Sequence, residues 1–347
     1  MCKCKCSSES RVVSNAELEQ LDCYVDLHLH LDGSLSVNMV KQLATEQGID
    51  LPYSDAQIAG MLQVNDGCND LNEYLTKFEF PNRFLQTEQG LTSAVSMLCR
   101  EQYEHGVMYA EIRFAPQKHC ENGLTQRQVV KAAIEGLQGS PIPATLILCC
   151  MRGSDNHNTN LETVNVAAEF LGKGVGAIDI AGAEALFPTS EFADVFALAT
   201  QLKVPFTIHA GEACGPDSVY KALEFGAKRI GHGVRSVEDA KLVEKLATEG
   251  VILECCPTSN LNTAVFSSLE QYPYRIFFNA GVKFTINTDN TSVSNTSIKQ
   301  EFIKLNNVFG ITRSELKELL TNAVAAAFTT EELKKNLREK VLKQLEL

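Results

Sequence analysis

The sequence predicts an α/β fold: a (β/α)8 TIM barrel with a helical lid insertion after its first strand and extra helices at its carboxyl end. Three observations carry that expectation. Eight short, apolar, β-branched runs recur along the chain, the pattern of parallel strands buried on both faces. Between them lie stretches that are apolar at helical spacing and closed by glycine. The titratable residues that stand out fall at the carboxyl ends of the runs, where barrel enzymes assemble their sites.

In chain order the strands are expected at CYVDLHLH (23–30), VMYAEIRF (107–114), ATLILCC (144–150) and GAIDIAG (176–182), then VPFTIHA (204–210), RIGHG (229–233), VILECCP (251–257) and VKFTINTD (282–289). SVYKALEFGA (218–227) and SVEDAKLVEKLATEG (236–250) are typical of the helical stretches between them. The interval 34–106 is far longer than one crossover helix needs, and contains helical patterns at SVNMVKQLATEQG and DLNEYLTKFEF. An insertion of that length in a compact domain is expected to act as a lid. At the carboxyl end, TRSE (312–315) and TTEE (329–332) read as capping boxes opening two terminal helices. No repeat, linker or low-complexity tract divides the chain, so 1–347 is expected to be one domain, with 1–20 a mobile tail.

Composition narrows the function. A formal net charge of −12 disfavours a nucleic acid or an anionic membrane surface as partner, because phosphates need a basic face, and leaves a small molecule as the expected ligand. No apolar run is long enough for a membrane span and MCKCKCSSES lacks the core of a signal peptide, so the expected location is the cytoplasm. The 12 cysteines are then expected to be reduced, with Cys149, Cys150, Cys255 and Cys256 as small buried hydrophobes. Cys2, Cys4 and Cys6 alternate with lysines, and lie either in a mobile tail or in a soft-metal or redox segment.

His28 and His30, at spacing i, i+2, place both rings on one face of the first strand. A lone strand histidine is usually a hydrogen-bonded core residue, but two imidazoles held together cannot both charge cheaply, and a divalent cation resolves the conflict. His209 and Asp289, at the ends of the fifth and eighth runs, complete a nitrogen and oxygen donor set suited to one catalytic zinc with an open position for water. A two-metal site would need a bridging group such as a modified lysine at the end of the fourth run, which reads Asp179, Ile180, Ala181, Gly182. The zinc ligands of the nucleic-acid deaminases, H-x-E followed by P-C-x-x-C, are absent. Glu212 in HAGEACG is the candidate proton donor, against the alternative of a helix-start glutamate. His232 in GHG is the candidate for orienting the water, against a core histidine in a tight turn.

HLHLDGS (28–34), HAGE (209–212), GHG (231–233), CPTSN (256–260) and NTD (287–289), in that order, closely resemble the adenosine deaminase family. The likeness extends through LTKFEF, EIRFAP, ILCCMR and IDIAG, nearly the whole chain after the first twenty residues. The resemblance implies zinc-dependent deamination of adenosine and 2′-deoxyadenosine, with His28, His30, His209 and Asp289 as ligands. It further implies that Glu212 protonates purine N1, while His232 and Asp289 orient and deprotonate the water. Gly182 would meet N3 through its backbone, Asp32 would accept from a ribose hydroxyl, and Phe78 would wall the base. Asp32 also reads as a turn residue and Phe78 as simple helix packing. Two positions depart from the family pattern: Asn290 stands where many members have an acid, and Ala183 precedes Glu184 where many have aspartate. Asn290 is expected to donate to purine N7 at any pH, as an amide does. Related barrels act on adenine or N6-substituted adenine nucleotides, and a purine-binding relative without turnover is the non-enzyme alternative.

Overall fold

The computed structural model describes residues 9–64, 68 and 70–346. Cys2, Cys4 and Cys6, with the tail or metal role expected of them, lie outside the described residues. Eight parallel strands form two sheets in chain order: β1 (Tyr24–His30), β2 (Val107–Phe114), β3 (Ala144–Met151) and β4 (Val175–Ala181) in one, β5 (Ile208–Ala210), β6 (Arg229–His232), β7 (Ile252–Cys255) and β8 (Lys283–Ile286) in the other. Backbone hydrogen bonds stitch both seams. Thr207 N–H donates to Ile178 O at 3.0 Å between β4 and β5, and His30 N–H donates to Asp289 O at 2.7 Å between β8 and β1. Helices alternate with the strands, an α/β arrangement consistent with the expected barrel.

β1 and β2 are buried at every residue, which matches their double-sided apolar pattern. The later strands are shorter than expected, and the reasons are local. Pro205 has no amide hydrogen for a ladder and β5 begins only at Ile208. Pro257 opens the helix Pro257–Asn262, so β7 ends at Cys255. β8 ends at Ile286 because the Asn287 side chain takes over the pairing, its Oδ1 accepting from Leu27 N–H at 3.0 Å. β6 ends at His232, which with Gly233 turns into left-handed backbone at φ 58° and 68°.

Residues 34–106 carry the helices Val37–Gln47, Asp55–Leu62 and Glu88–Glu104. The stretch expected as one helix over 70–80 is instead Leu71–Leu75, a 3-10 turn Thr76–Phe78, and Glu79–Asn82. The terminal helix Arg313–Ala326 opens on the expected Thr312/Glu315 capping box. For Glu331–Glu346 the cap is one residue later than expected, Thr330 Oγ1 accepting from Leu333 N–H at 3.2 Å. The mobile tail expected over 1–20 does not extend through residues 13–20. The helix Asn15–Gln20 opens on a Ser14/Glu17 capping box and buries Leu18, while Val13 N–H donates to Ile311 O at 2.9 Å. Cys149, Cys150, Cys255 and Cys256 are buried and free, as expected. No helix among the described residues is long and apolar enough to cross a membrane.

Candidate active site

Three imidazoles and a carboxylate meet where β1, β5 and β8 end. His30 Nε2 lies 3.3 Å from His209 Nε2 and 3.4 Å from Asp289 Oδ1, which is also 3.4 Å from His28 Nε2. Their positions follow from the strands. His28 and His30 share one face of β1, and Asp289 is set beside them because its backbone exchanges hydrogen bonds of 2.7 Å with His28 O and His30 N–H. Asp289 holds φ 63°, a sparsely populated conformation for a residue with a side chain. Asp26 steadies the turn, its Oδ2 accepting from Thr288 Oγ1 at 2.5 Å.

Outer carboxylates orient two of the rings. His28 Nδ1 is 2.8 Å from Glu254 Oε2 and His209 Nδ1 is 2.7 Å from Asp179 Oδ2. Each carboxylate holds the proton on Nδ1, so the Nε2 lone pairs face one another and Asp289. His28 Nε2 is buried with no hydrogen-bond partner. Acceptors turned on one another inside a protein are costly without a cation, and this donor set fits one divalent ion. A second grouping, His28, His232, Cys256 and Asp289, shares two of these ligands, but burial holds the Cys256 thiol well above its ordinary range. The imidazole set is the better ligand cage.

Behind it, Arg113 spans both outer carboxylates, Nη1 to Asp179 at 2.7 Å and Nη2 to Glu254 at 2.8 Å, with every partner fully buried. Arg229 adds bonds of 2.7 Å to Glu254 and 2.8 Å to Glu111. These residues escape a reading for site chemistry. Their signal is a charge inside a run otherwise apolar enough to be buried on both faces: EIR in β2, Asp179 in β4, Glu254 in β7.

Glu212 and His232 stand beside the ligands. Glu212 Oε2 is 3.6 Å from His232 Nε2, and its Oε1 accepts from Thr263 Oγ1 at 3.4 Å. Burial, aided by the charges of Asp289 and Glu184, drives the Glu212 carboxyl well above its ordinary range. Burial also keeps His232 well below the imidazole range, and the Asn260 amide meets its Nδ1 at 3.1 Å.

His30, His209, Asp289, Glu212 and His232 open onto one cavity of about 540 Å³, whose wall also includes Asp32, Phe78, Gly182 and Asn290. His28 lies behind the wall. Burial raises Asp32 to about 7, and its Oδ1 has no partner. Phe78 faces the His30 ring at 6.5 Å between centroids. Beside it, Tyr74 is hydrogen-bonded to Ser294 at 2.7 Å, tying the inserted segment to the loop after β8. Gly182 has φ 107°, leaving its backbone free to face the cavity. Asn290 is buried because Gly33 makes room for it: a Cβ on Gly33 would lie 1.8 Å from Asn290 Oδ1.

A parallel α/β fold that gathers three imidazoles, a carboxylate and a buried glutamate at one cavity defines an enzyme of the metal-dependent amidohydrolase type. The family model described as adenosine deaminase matches residues 24–344. Adenosine deaminase of Haemophilus ducreyi is 48% identical over 322 residues, 90% of this chain and 94% of that one. Among solved structures, adenine deaminase from Arthrobacter aurescens superposes with a TM-score of 0.84 at 25% identity, over 93% of this chain and 99% of that one. The N6-methyl-AMP deaminase from Arabidopsis thaliana superposes at 0.82 and 24% identity, over 95% and 98%. This chain belongs to the adenosine deaminase family.

Proposed function

We propose that this chain hydrolytically deaminates adenosine and 2′-deoxyadenosine to inosine and 2′-deoxyinosine, releasing ammonia, with one zinc ion held by His28, His30, His209 and Asp289. The observation that carries the reading is the buried Glu212 carboxyl, which burial biases toward its protonated form, on the same cavity wall as His30, His209 and Asp289. Family membership supports it independently.

When bound, zinc supplies a water acidified to near neutrality. His232 and Asp289 would orient the attacking water and accept its proton. Glu212 delivers its proton to purine N1, which makes C6 electrophilic enough to accept the water. The proton accepted by His232 and Asp289 would pass to the exocyclic nitrogen, ammonia would leave as the C6–N bond breaks, and the C6 hydroxyl proton would return to Glu212 as the carbonyl forms. The Gly182 backbone meets N3, the Asn290 amide donates to N7, and Phe78 covers the base. Asp32 accepts from a ribose hydroxyl, and its ionised form repels a 5′-phosphate, which favours nucleoside over nucleotide.

On the same reading the two stitched sheets are one closed (β/α)8 barrel in a single domain, 34–106 is a lid over its mouth, and the enzyme serves purine metabolism and salvage in the cytoplasm. Zinc analysis combined with ammonia release from adenosine, adenine and AMP tests the proposal. Stoichiometric zinc and a preference for adenosine are expected. A strong preference for adenine or AMP, or metal without turnover, overturns it.

A further inference from the structure

The segment 209–214, which bears both a ligand histidine and Glu212, is held by two buried side chains of opposite charge. From one side, Glu184 accepts four consecutive backbone N–H groups: Gly211 at 2.8 Å, Glu212 at 3.1 Å, Ala213 at 2.7 Å and Cys214 at 2.9 Å. Its Oε1 also takes the Ser218 hydroxyl at 2.5 Å. From the other side, Arg152 Nη2 donates to the His209 carbonyl at 2.7 Å. The two grips are joined, since Ser218 Oγ meets Thr189 Oγ1 at 2.7 Å and Arg152 Nη2 donates to that oxygen at 3.0 Å. Glu184 and Arg152 are 2% and 5% exposed, so water does not compete for these bonds.

We propose that Glu184 and Arg152 are positioning residues for deamination, a buried clamp that fixes where the Glu212 carboxyl stands relative to the metal ligands and the base. The inference rests on the reading of Glu212 as the proton donor. The geometry gives the reason. The turn after β5 leaves four amides pointing the same way, those of the buried Gly211 and Glu212 and the part-buried Ala213 and Cys214; Gly211 takes φ 74°, and without Glu184 none of the four has a backbone acceptor. A carboxylate satisfies all four with two oxygens, whereas an amide offers one oxygen and turns a donor on the remaining N–H groups. A shift of about 1 Å in a catalytic group costs on the order of a hundredfold in rate.

The test compares the zinc-loaded full chain with Glu184→Gln, reading kcat, KM, metal content and hydrogen exchange of the amides at 211–214. A kcat lower by roughly 10- to 100-fold is expected. KM and metal content are expected to change little, with faster exchange confined to 211–214. Faster exchange with unchanged kcat overturns the positioning role, because the clamp is then structural only. If Glu184→Gln does not fold, Arg152→Lys and Ser218→Ala loosen the clamp from either end. Each is expected to lower kcat roughly 3- to 10-fold, and unchanged kcat in both overturns the proposal. Adenosine turnover by the unsubstituted chain separates the two readings: its absence removes the reading of Glu212, while its presence with an unaffected variant removes only the clamp.

Discussion

On the proposed reading, Asn290 makes a base contact without a titration. An aspartate here would have to stay protonated beside the metal ligands to donate to N7, whereas the amide donates at any pH. Asn290→Ala is expected to weaken purine binding by about 1–2 kcal/mol, the worth of a single hydrogen bond. A 7-deazapurine should lose little further affinity in that variant, and an inhibition constant equal to that of the unsubstituted chain would refute the contact. His119 shows the opposite case, a titration that the fold suppresses. Both its nitrogens are buried without partners, its ring lies 5.7 Å from Phe114, and burial with the Lys118 charge lowers it to about 3. The sign follows from linkage: the folded value lies below the unfolded one of about 6.5, so stability is present above pH 6.5 and lost as pH falls toward 3. Between pH 7 and 5 this group alone is expected to cost roughly 2 kcal/mol. Urea midpoints should show His119→Phe losing correspondingly less stability over that interval; equal losses would exclude the assignment.

At the scale of elements, the inserted segment is where sequence reasoning and structure part most clearly. DLNEYLTKFEF has helical spacing, yet it breaks at a 3-10 turn over Thr76–Phe78, which puts Phe78 on the cavity wall. Its neighbour Tyr74 reaches Ser294 in the loop after β8, a partner 220 residues away that no local pattern announces. Tyr74→Phe removes that bond and keeps the ring. KM for adenosine is expected to rise a few-fold with kcat nearly constant, the signature of about 1 kcal/mol of uniform binding; a fall in kcat alone would place Tyr74 elsewhere in the mechanism. The strand ends, by contrast, were legible. His28, His30, His209, His232 and Asp289 are unusual residues in apolar runs, and the same patterning that located the strands located them. Glu184 was not. A glutamate in a loop after a strand has no sequence mark of burial, and its four amide partners are set only once the turn after β5 exists.

For the whole molecule, the strands that build the sheets also carry a buried charge network linking two of the proposed ligand histidines. His28, Glu254, Arg113, Asp179 and His209 form one chain of contacts between 2.7 and 2.8 Å, crossing from β1 through β7, β2 and β4 to β5. The ligands are therefore not independent of the fold. Removing the ion leaves lone pairs and a carboxylate facing one another, so metal binding is expected to add stability by mass action, about 2.7 kcal/mol at a free concentration a hundred times the dissociation constant. Chelation should lower the unfolding temperature by several degrees, and added zinc should restore it; an unfolding temperature indifferent to both would mean that no ion is bound there. Arg113→Met goes further, because it leaves Asp179 and Glu254 buried without their shared cation, a loss of about 3–5 kcal/mol. If the network holds the rings in place, the variant should also bind zinc roughly 10- to 100-fold more weakly in chelator competition. A variant that is destabilised but keeps its zinc affinity would show that Arg113 supports the sheets and not the site.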